Sequence, residues 1–159
     1  NFVAGAILSV FGGHEWLAFV TLANFLSCTA MFYSDSRSSS LESRMHRFAS
    51  LLVDADPKLA LQLQEHQLDA TMYAAGPLAV GFLPLASMQA GADCMPPATK
   101  ALWETWLRCR SADELNLKLS QEGVRRVLAV QPQLHSIWKQ GRNAGFEEAL
   151  KVLQNALAA

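Results

Sequence analysis

Apolar residues recur along this chain at helical spacing, and almost every break between them is a helix start or stop. Phe2 to Phe11 predicts a short apolar helix ended by Gly12-Gly13, because glycine takes the left-handed backbone that closes a helix without steric cost. Glu15 to Ser27 predicts a second helix, with Trp16, Phe19, Val20, Ala23 and Leu26 at the spacing of one face. Tyr33 to Arg37 is a polar break. Ser39-Ser40-Leu41-Glu42 then has the form of a capping box, in which hydroxyl and carboxylate satisfy each other's free backbone donors. The helix it opens carries Leu41, Met45, Phe48 and Leu52 on one face. Asp56-Pro57 predicts the next start, since aspartate caps and proline is tolerated in the first turn. Leu59 and Leu63 then face inward, and Asp69 caps a short helix running through Tyr73.

Gly76-Pro77 reads as an interruption before the short apolar run Leu78 to Leu85, and Ser87 to Pro97 reads as a loop or insertion. Ala98 to Arg110 is predicted helical, with Leu102, Trp103, Trp106 and Leu107 as its apolar side. Ser111-Ala112-Asp113-Glu114 is a second capping box, opening a helix to about Gln121 that Gly123 ends. Val124 to Val130, Pro132 to Gln140 and, after a turn over Gly141 to Gly145, Phe146 to Leu157 are further helices. No β-branched run alternates strictly, so strands are not favoured. The pattern predicts an all-α protein of about eight or nine short helices, without the 20–50-residue period of a solenoid.

Composition sharpens this picture. The chain has 159 residues, of which 51% are hydrophobic and only 17% charged, against about 25% charged in an average domain. Such a chain folds around a core and is not disordered. Its net charge of −1 argues against a nucleic-acid binder, which needs a basic face. Trp16 to Ser34 and Ala70 to Ala92 carry no charge and reach the ~20 residues a bilayer demands. Neither has a flanking Lys/Arg cluster, and glycine and proline break the second. Both read as buried helices of a bundle, with no transmembrane segment and no signal peptide. The three cysteines, Cys28, Cys94 and Cys109, are sparse and far apart, which suits a reducing compartment. Arg108 and Arg110 flank Cys109; positive neighbours lower a thiol pKa, whereas an ordinary structural thiol needs no such role. The sequence opens on Asn1 and not on methionine, and is expected to be part of something longer.

Enzymatic signatures are missing. His14-Glu15 lacks the second histidine of a zinc-binding H-E-x-x-H, and His14, His46, His66 and His135 stand apart in sequence. There is no phosphate-binding G-x-x-x-x-G-K-[ST] and no G-x-S-x-G. Glu147-Glu148 are adjacent, so they point to different sides of a helix and make no acid/base pair. No cofactor or metal is expected. Arg125-Arg126 and Arg108/Arg110 read as solvated basic clusters.

The ordered series of apolar marks resembles the TBC domain of GTPase-activating proteins for Rab GTPases. Asn1-Phe2-Val3-Ala4-Gly5-Ala6-Ile7-Leu8 is similar to the apolar segment after the Gly-Met of that family's Tyr-x-Gln-Gly-Met-Asn motif. Glu15, Trp16, Ala18 and Phe19 resemble the acidic start and aromatic core of its next helix, and Leu22-Ala23-Asn24-Phe25-Leu26 with Phe32-Tyr33 resembles a leucine/asparagine segment and aromatic pair. Phe48 to Tyr73 is the best stretch: Leu51-Leu52, Pro57, Leu59, Leu63, Leu68 and Tyr73 stand at the family's spacing. Phe82 is similar to the aromatic of the family's next helix, and Trp103-Glu104 to a Trp-Asp pair. The chain departs from the family at Pro77, where a tryptophan is usual, and in its longer approach to Trp103. The likeness spans Asn1 to Phe82 and is diffuse after Trp103.

The resemblance implies a C-terminal portion of one TBC-like domain over 1–159, with 1–85 the matching part, 86–97 a loop or insertion and 98–159 C-terminal helices. It implies a GTPase activator and not an enzyme in its own right. Its partners would be a Rab-family small GTPase and the N-terminal half of the same domain, in cytoplasmic vesicle trafficking at membrane surfaces. The family's finger arginine, in I-x-x-D-x-x-R, and its glutamine, in Tyr-x-Gln, have no counterparts here and would lie upstream, so no catalytic residue is assigned to this chain. Asn1 and Phe2 are the candidate partner-binding residues. The apolar Phe2–Phe11 helix is expected to be the face that the other half, or a second copy, covers. The alternative is a non-catalytic helical scaffold or pseudo-GAP interaction domain.

Overall fold

The computed structural model describes residues 2–28, 41–79, 81–82, 95–139 and 145–158. Among these the fold is all-α, with ten helices: α1 (Phe2–Val10), α2 (Glu15–Cys28), α3 (Leu41–Ala55), α4 (Pro57–Glu65), α5 (Ala70–Tyr73), α6 (Ala75–Ala79), α7 (Pro97–Trp106), α8 (Ala112–Ala129), α9 (Gln131–Lys139) and α10 (Gly145–Ala158). Helix α3 is the hub, packing on α8, α4, α5 and α6, while α10 closes over α5, α8 and α9. Helices α1, α2 and α7 form a second group, with α1 lying on both of the others.

Local chemistry explains most of the boundaries. The Asp56 carboxylate accepts from Leu59 N at 2.9 Å, with Pro57 as the first residue of α4. Asp69 caps α5 through Thr71 N at 2.8 Å. Ser111 Oγ accepts from Glu114 N at 3.2 Å, and the Glu114 carboxylate reaches back to Arg110 N at 2.9 Å. The box is therefore one residue wider than expected. Helix α1 ends in a pair of bonds, Gly13 N to Leu8 O and Gly12 N to Ser9 O, with both glycines at positive φ. Helix α4 ends the same way, Leu68 N to Leu63 O and Gln67 N to Gln64 O, but here the left-handed position is Gln67 at φ 59°. The Leu63 and Leu68 side chains, both buried, supply the apolar contact that accompanies this motif. The Ser39-Ser40 half of the first capping box, the Tyr33–Arg37 break and residues 86–94 and 141–144 of the expected loops lie outside the described residues.

One expected break is displaced and another is not a break: the chain does interrupt before Pro77, but at Ala74, between α5 and α6. Helix α6 runs through Gly76-Pro77, because Pro77 falls in its first turn, where the missing N–H has no intrahelical partner to lose. Helix α8 runs unbroken through Gly123. That glycine is a contact point: a Cβ there would stand 3.0 Å from Phe48 Cε2 and 3.1 Å from Cδ2. Close approach of α8 to α3 thus replaces the breaker role, and the predicted helices Ala112–Gln121 and Val124–Val130 are one.

The core also buries charge. Arg44 lies inside and donates from Nη1 to Leu78 O at 2.9 Å, tying α3 to α6. The Arg125-Arg126 pair, read as a solvated cluster, divides. Arg126 is buried, bonds Glu122 Oε1 at 2.7 Å and Leu157 O at 3.0 Å, and lies 4.5 Å over the Phe82 ring. Glu122 pulls it inward, since a buried cation needs a partner. Histidines separate in sequence also meet: His66 stacks on Trp138 at 4.7 Å, and the His135 ring meets the same indole edge-on at 6.0 Å. His135 Nε2 pairs with Gln62 Oε1 at 2.8 Å, so this seam locks α9 to α4.

Candidate functional site

Helix α2 is held from behind by aromatic rings. Phe25 is buried against Trp103 of α7, with centroids 6.5 Å apart. Trp103 meets Trp106 edge-on at 5.5 Å, and Trp106 packs on Phe82 at 6.0 Å. Gly81 makes room for this: a Cβ there would stand 3.1 Å from Trp103 and 3.3 Å from Trp106. Phe82 comes next at φ 57°, a rare backbone for a bulky residue, held by its complete burial.

The opposite side of α2 is apolar and uncovered. Trp16 is 73% exposed, Leu17 50%, Phe19 62%, Val20 38% and Leu26 42%. Trp16 and Phe19 stack on each other at 6.1 Å. These two rings alone expose roughly 300 Å² of aromatic surface, already the scale of the largest patch on a typical monomer, about 300–600 Å². The helix carries no charge after Glu15. An all-round apolar helix belongs in an interior, yet here only Ala18 and Phe25 are buried among the described side chains of α2. The Trp16–Leu26 stripe, expected to face the core, is the outer face. Periodicity could not choose, because both sides of this helix are apolar. The expectation for α1 is corrected with it. Ala6 and Ile7 are fully buried and α1 is packed on α2 and α7, so the large uncovered face belongs to α2.

The Rab-GTPase-TBC domain family model matches residues 1–88, more than half of the chain. The chain belongs to the Rab-GTPase-TBC domain family. No curated protein and no solved structure matches it. The TBC match covers α1 to α6 and the Gly81-Phe82 turn. The Phe48–Tyr73 stretch that best resembles the family is the α3–α4–α5 unit, where Phe48, Leu52, Leu59, Leu63, Leu68 and Tyr73 are all buried. The family spacing is thus a core spacing. The domain is of Rab-GAP type and all-α, and no helix among the described residues is long and apolar enough to cross a membrane.

Of the candidate partner-binding residues, Asn1 lies outside the described residues, and Phe2 is the first residue of α1, its side chain not among those described. Cys109 is buried, and burial raises its thiol pKa against the lowering pull of Lys118; Arg108 and Arg110 do not activate it. The carboxylates at helix starts have pKa values below the ordinary range: Asp56 through its bond from Leu59 N, and Asp69 through Thr71. Burial pushes Glu122 up, but its bonds from Arg125 and Arg126 outweigh that and the net shift is down. Sequence reasoning missed the exposed side of α2. The absence of any charge between Trp16 and Cys28 was legible, but it reads equally as burial within the chain and as a face awaiting a partner.

Proposed function

We propose that this chain is one part of a Rab GTPase-activating domain that stimulates GTP hydrolysis by a Rab-family small GTPase. It braces the catalytic half and contacts the Rab. Residues 1–85 form the bracing unit, 86–97 a connecting loop or insertion and 98–159 the C-terminal helices. The TBC match over residues 1–88 carries this reading. The uncovered α2 face supports the bracing role, because a rigid apolar wall anchored through Phe25 and Trp103 is what a second half-domain needs.

The chemistry is that of phosphoryl transfer. Hydrolysis builds negative charge on the γ-phosphoryl oxygens, and an inserted arginine that neutralises it accelerates the reaction roughly 10³–10⁵-fold. The chain contains neither I-x-x-D-x-x-R nor Tyr-x-Gln. The arginine and the water-positioning glutamine therefore come from the N-terminal half of the same domain. The N-terminal half covers the stripe Trp16, Phe19, Val20 and Leu26, and is held by it at the angle that presents its fingers to the nucleotide.

The test is single-turnover GTP hydrolysis by a panel of Rabs with the chain joined to that half. Stimulation that disappears when the finger arginine is replaced supports the proposal. Stimulation that survives this replacement contradicts the finger mechanism. Rab binding without stimulation favours the pseudo-GAP scaffold.

A further inference from the structure

Away from α2, helices α3, α4 and α5 enclose an open groove of about 270 Å³. Its floor is Leu52, Leu63, Leu68 and Tyr73, all buried, and its outer wall is Val53, 50% exposed. The rim is polar and carries a single charged side chain, Asp69. Both hydrogen bonds to that carboxylate, from Thr71 N and Thr71 Oγ1, fall on Oδ1. Oδ2 therefore has no partner among the described residues. The Tyr73 hydroxyl also makes no hydrogen bond among the described residues and keeps access to solvent, although the residue as a whole is only 3% exposed. No lysine or arginine lines the groove.

We propose that the α3–α4–α5 groove docks a helical segment of a partner protein that carries a bulky apolar side chain and, one turn away, a lysine or arginine. The apolar side chain fills the space between Leu52, Leu63 and Val53. The basic residue lays its aliphatic stem on the apolar wall, as long cationic side chains do, and places its head against Asp69 Oδ2 and the Tyr73 hydroxyl. The bonds from Thr71 keep Asp69 ionised, with its pKa below the ordinary range. A helix is the fitting shape, since an amphipathic helix buries its apolar side chains in such inter-helical grooves at i and i+4 spacing. A lipid surface is disfavoured, because anionic membranes attract a basic rim and this one is acidic. The proposal is independent of the Rab-GAP reading: α2 and the finger residues play no part in it.

An alanine-rich helical peptide with two leucines at i, i+4 spacing and an arginine one turn on is the probe. A twin peptide has glutamate in place of the arginine. Each is titrated into the whole isotope-labelled chain, and backbone amide shifts are followed by NMR. The arginine peptide is expected to shift Ala49, Ala60, Gln67 and Ala70, and to bind roughly three- to fivefold tighter than its twin, the scale of one exposed ion pair. Gln64→Arg, at an exposed rim position, sets a competing cation beside Asp69 and is expected to erase that preference. Val53→Ser removes the outer wall and is expected to weaken both peptides. Equal affinity for the two peptides overturns the proposal. So do shifts centred on α2, or no shift in the groove at about 1 mM peptide, the limit of a contact worth about 4 kcal/mol.

Discussion

Replacing Gly123 with alanine sets two local effects against each other, and the packing around it decides the sign. In an exposed helix interior, Gly→Ala gains about 0.8–1.0 kcal/mol from backbone entropy. At Gly123 the new methyl would meet Phe48 at 3.0–3.1 Å and Phe82 Cζ at 3.4 Å. Neither ring can retreat cheaply: both are fully buried, Phe48 packs edge-on against Tyr73 at 6.1 Å, and Phe82 lies between Trp106 and Arg126. Overpacking of this kind costs about 1–3 kcal/mol. The net expectation is a loss of about 1 kcal/mol, read as a fall in Tm of about 2–4 °C for a domain of this size. Gly76→Ala is the comparison free of tertiary crowding, because nothing lies within 4 Å of a Cβ there; the following Pro77 disfavours a helical backbone for a residue with a Cβ, which offsets the entropic gain, so Tm should hardly change. Thermal melts followed by far-UV circular dichroism measure both. A double-mutant cycle adds Phe48→Leu, whose smaller side chain makes room, so that Gly123→Ala becomes stabilising in that background. If Gly123→Ala raised Tm in the otherwise unaltered chain, with no coupling to Phe48, the close packing of α3 on α8 would be refuted.

Gln67→Gly should stabilise the chain by about 0.5–1 kcal/mol in denaturant titration, because glycine removes the steric cost of the left-handed turn that ends α4. Glu122→Gln leaves Arg126 with the Leu157 carbonyl and the Phe82 face but no counter-charge, and should cost about 1.5–3 kcal/mol, the scale of a hydrogen bond to a charged group. Since the folded pKa of Glu122 is depressed, its contribution is complete above the ordinary glutamate pKa. It is lost as pH falls through the lower folded value, and urea midpoints taken across the acid range should show that loss flattened in Glu122→Gln. Asp56→Asn keeps an N-cap acceptor for Leu59 but removes the charge, so the Asp56 share of acid unfolding should vanish while helicity at neutral pH holds. Trp16→Glu with Phe19→Glu should leave the Tm of the chain nearly unchanged, because both side chains are mostly exposed, while light scattering shows less self-association.

The helix starts were readable in the sequence wherever the capping group is local. Asp56-Pro57, Asp69 and Ser111–Glu114 each act within four residues, and each stands where expected. Gly123 was misread because its effect depends on what faces it, Phe48 across the interface, and the break expected at Gly76-Pro77 falls two residues earlier, at Ala74, because proline is accommodated in the first turn of the new helix. The inward turn of Arg126 depends on Glu122 one turn earlier and on a carbonyl 31 residues later, and only the first of these is visible in a local pattern. On α2 the pattern was complete and still ambiguous: a helix apolar on both sides has no preferred face until its neighbours are known. The groove was invisible, because Ala49, Ala60 and Ala70 matter through the space they leave.

Quenching of Trp16 is the most direct test of the claim that α2 is a wall built to be covered by the rest of a Rab-GAP domain. In the chain alone Trp16 is 73% exposed, while Trp103 and Trp106 are 3% and 2% exposed. Acrylamide quenching, compared with a Trp16→Phe variant, isolates its signal. Joined to the N-terminal half, Trp16 should become as protected as the buried pair. Equal quenching of Trp16 in the chain and in the joined domain would contradict it.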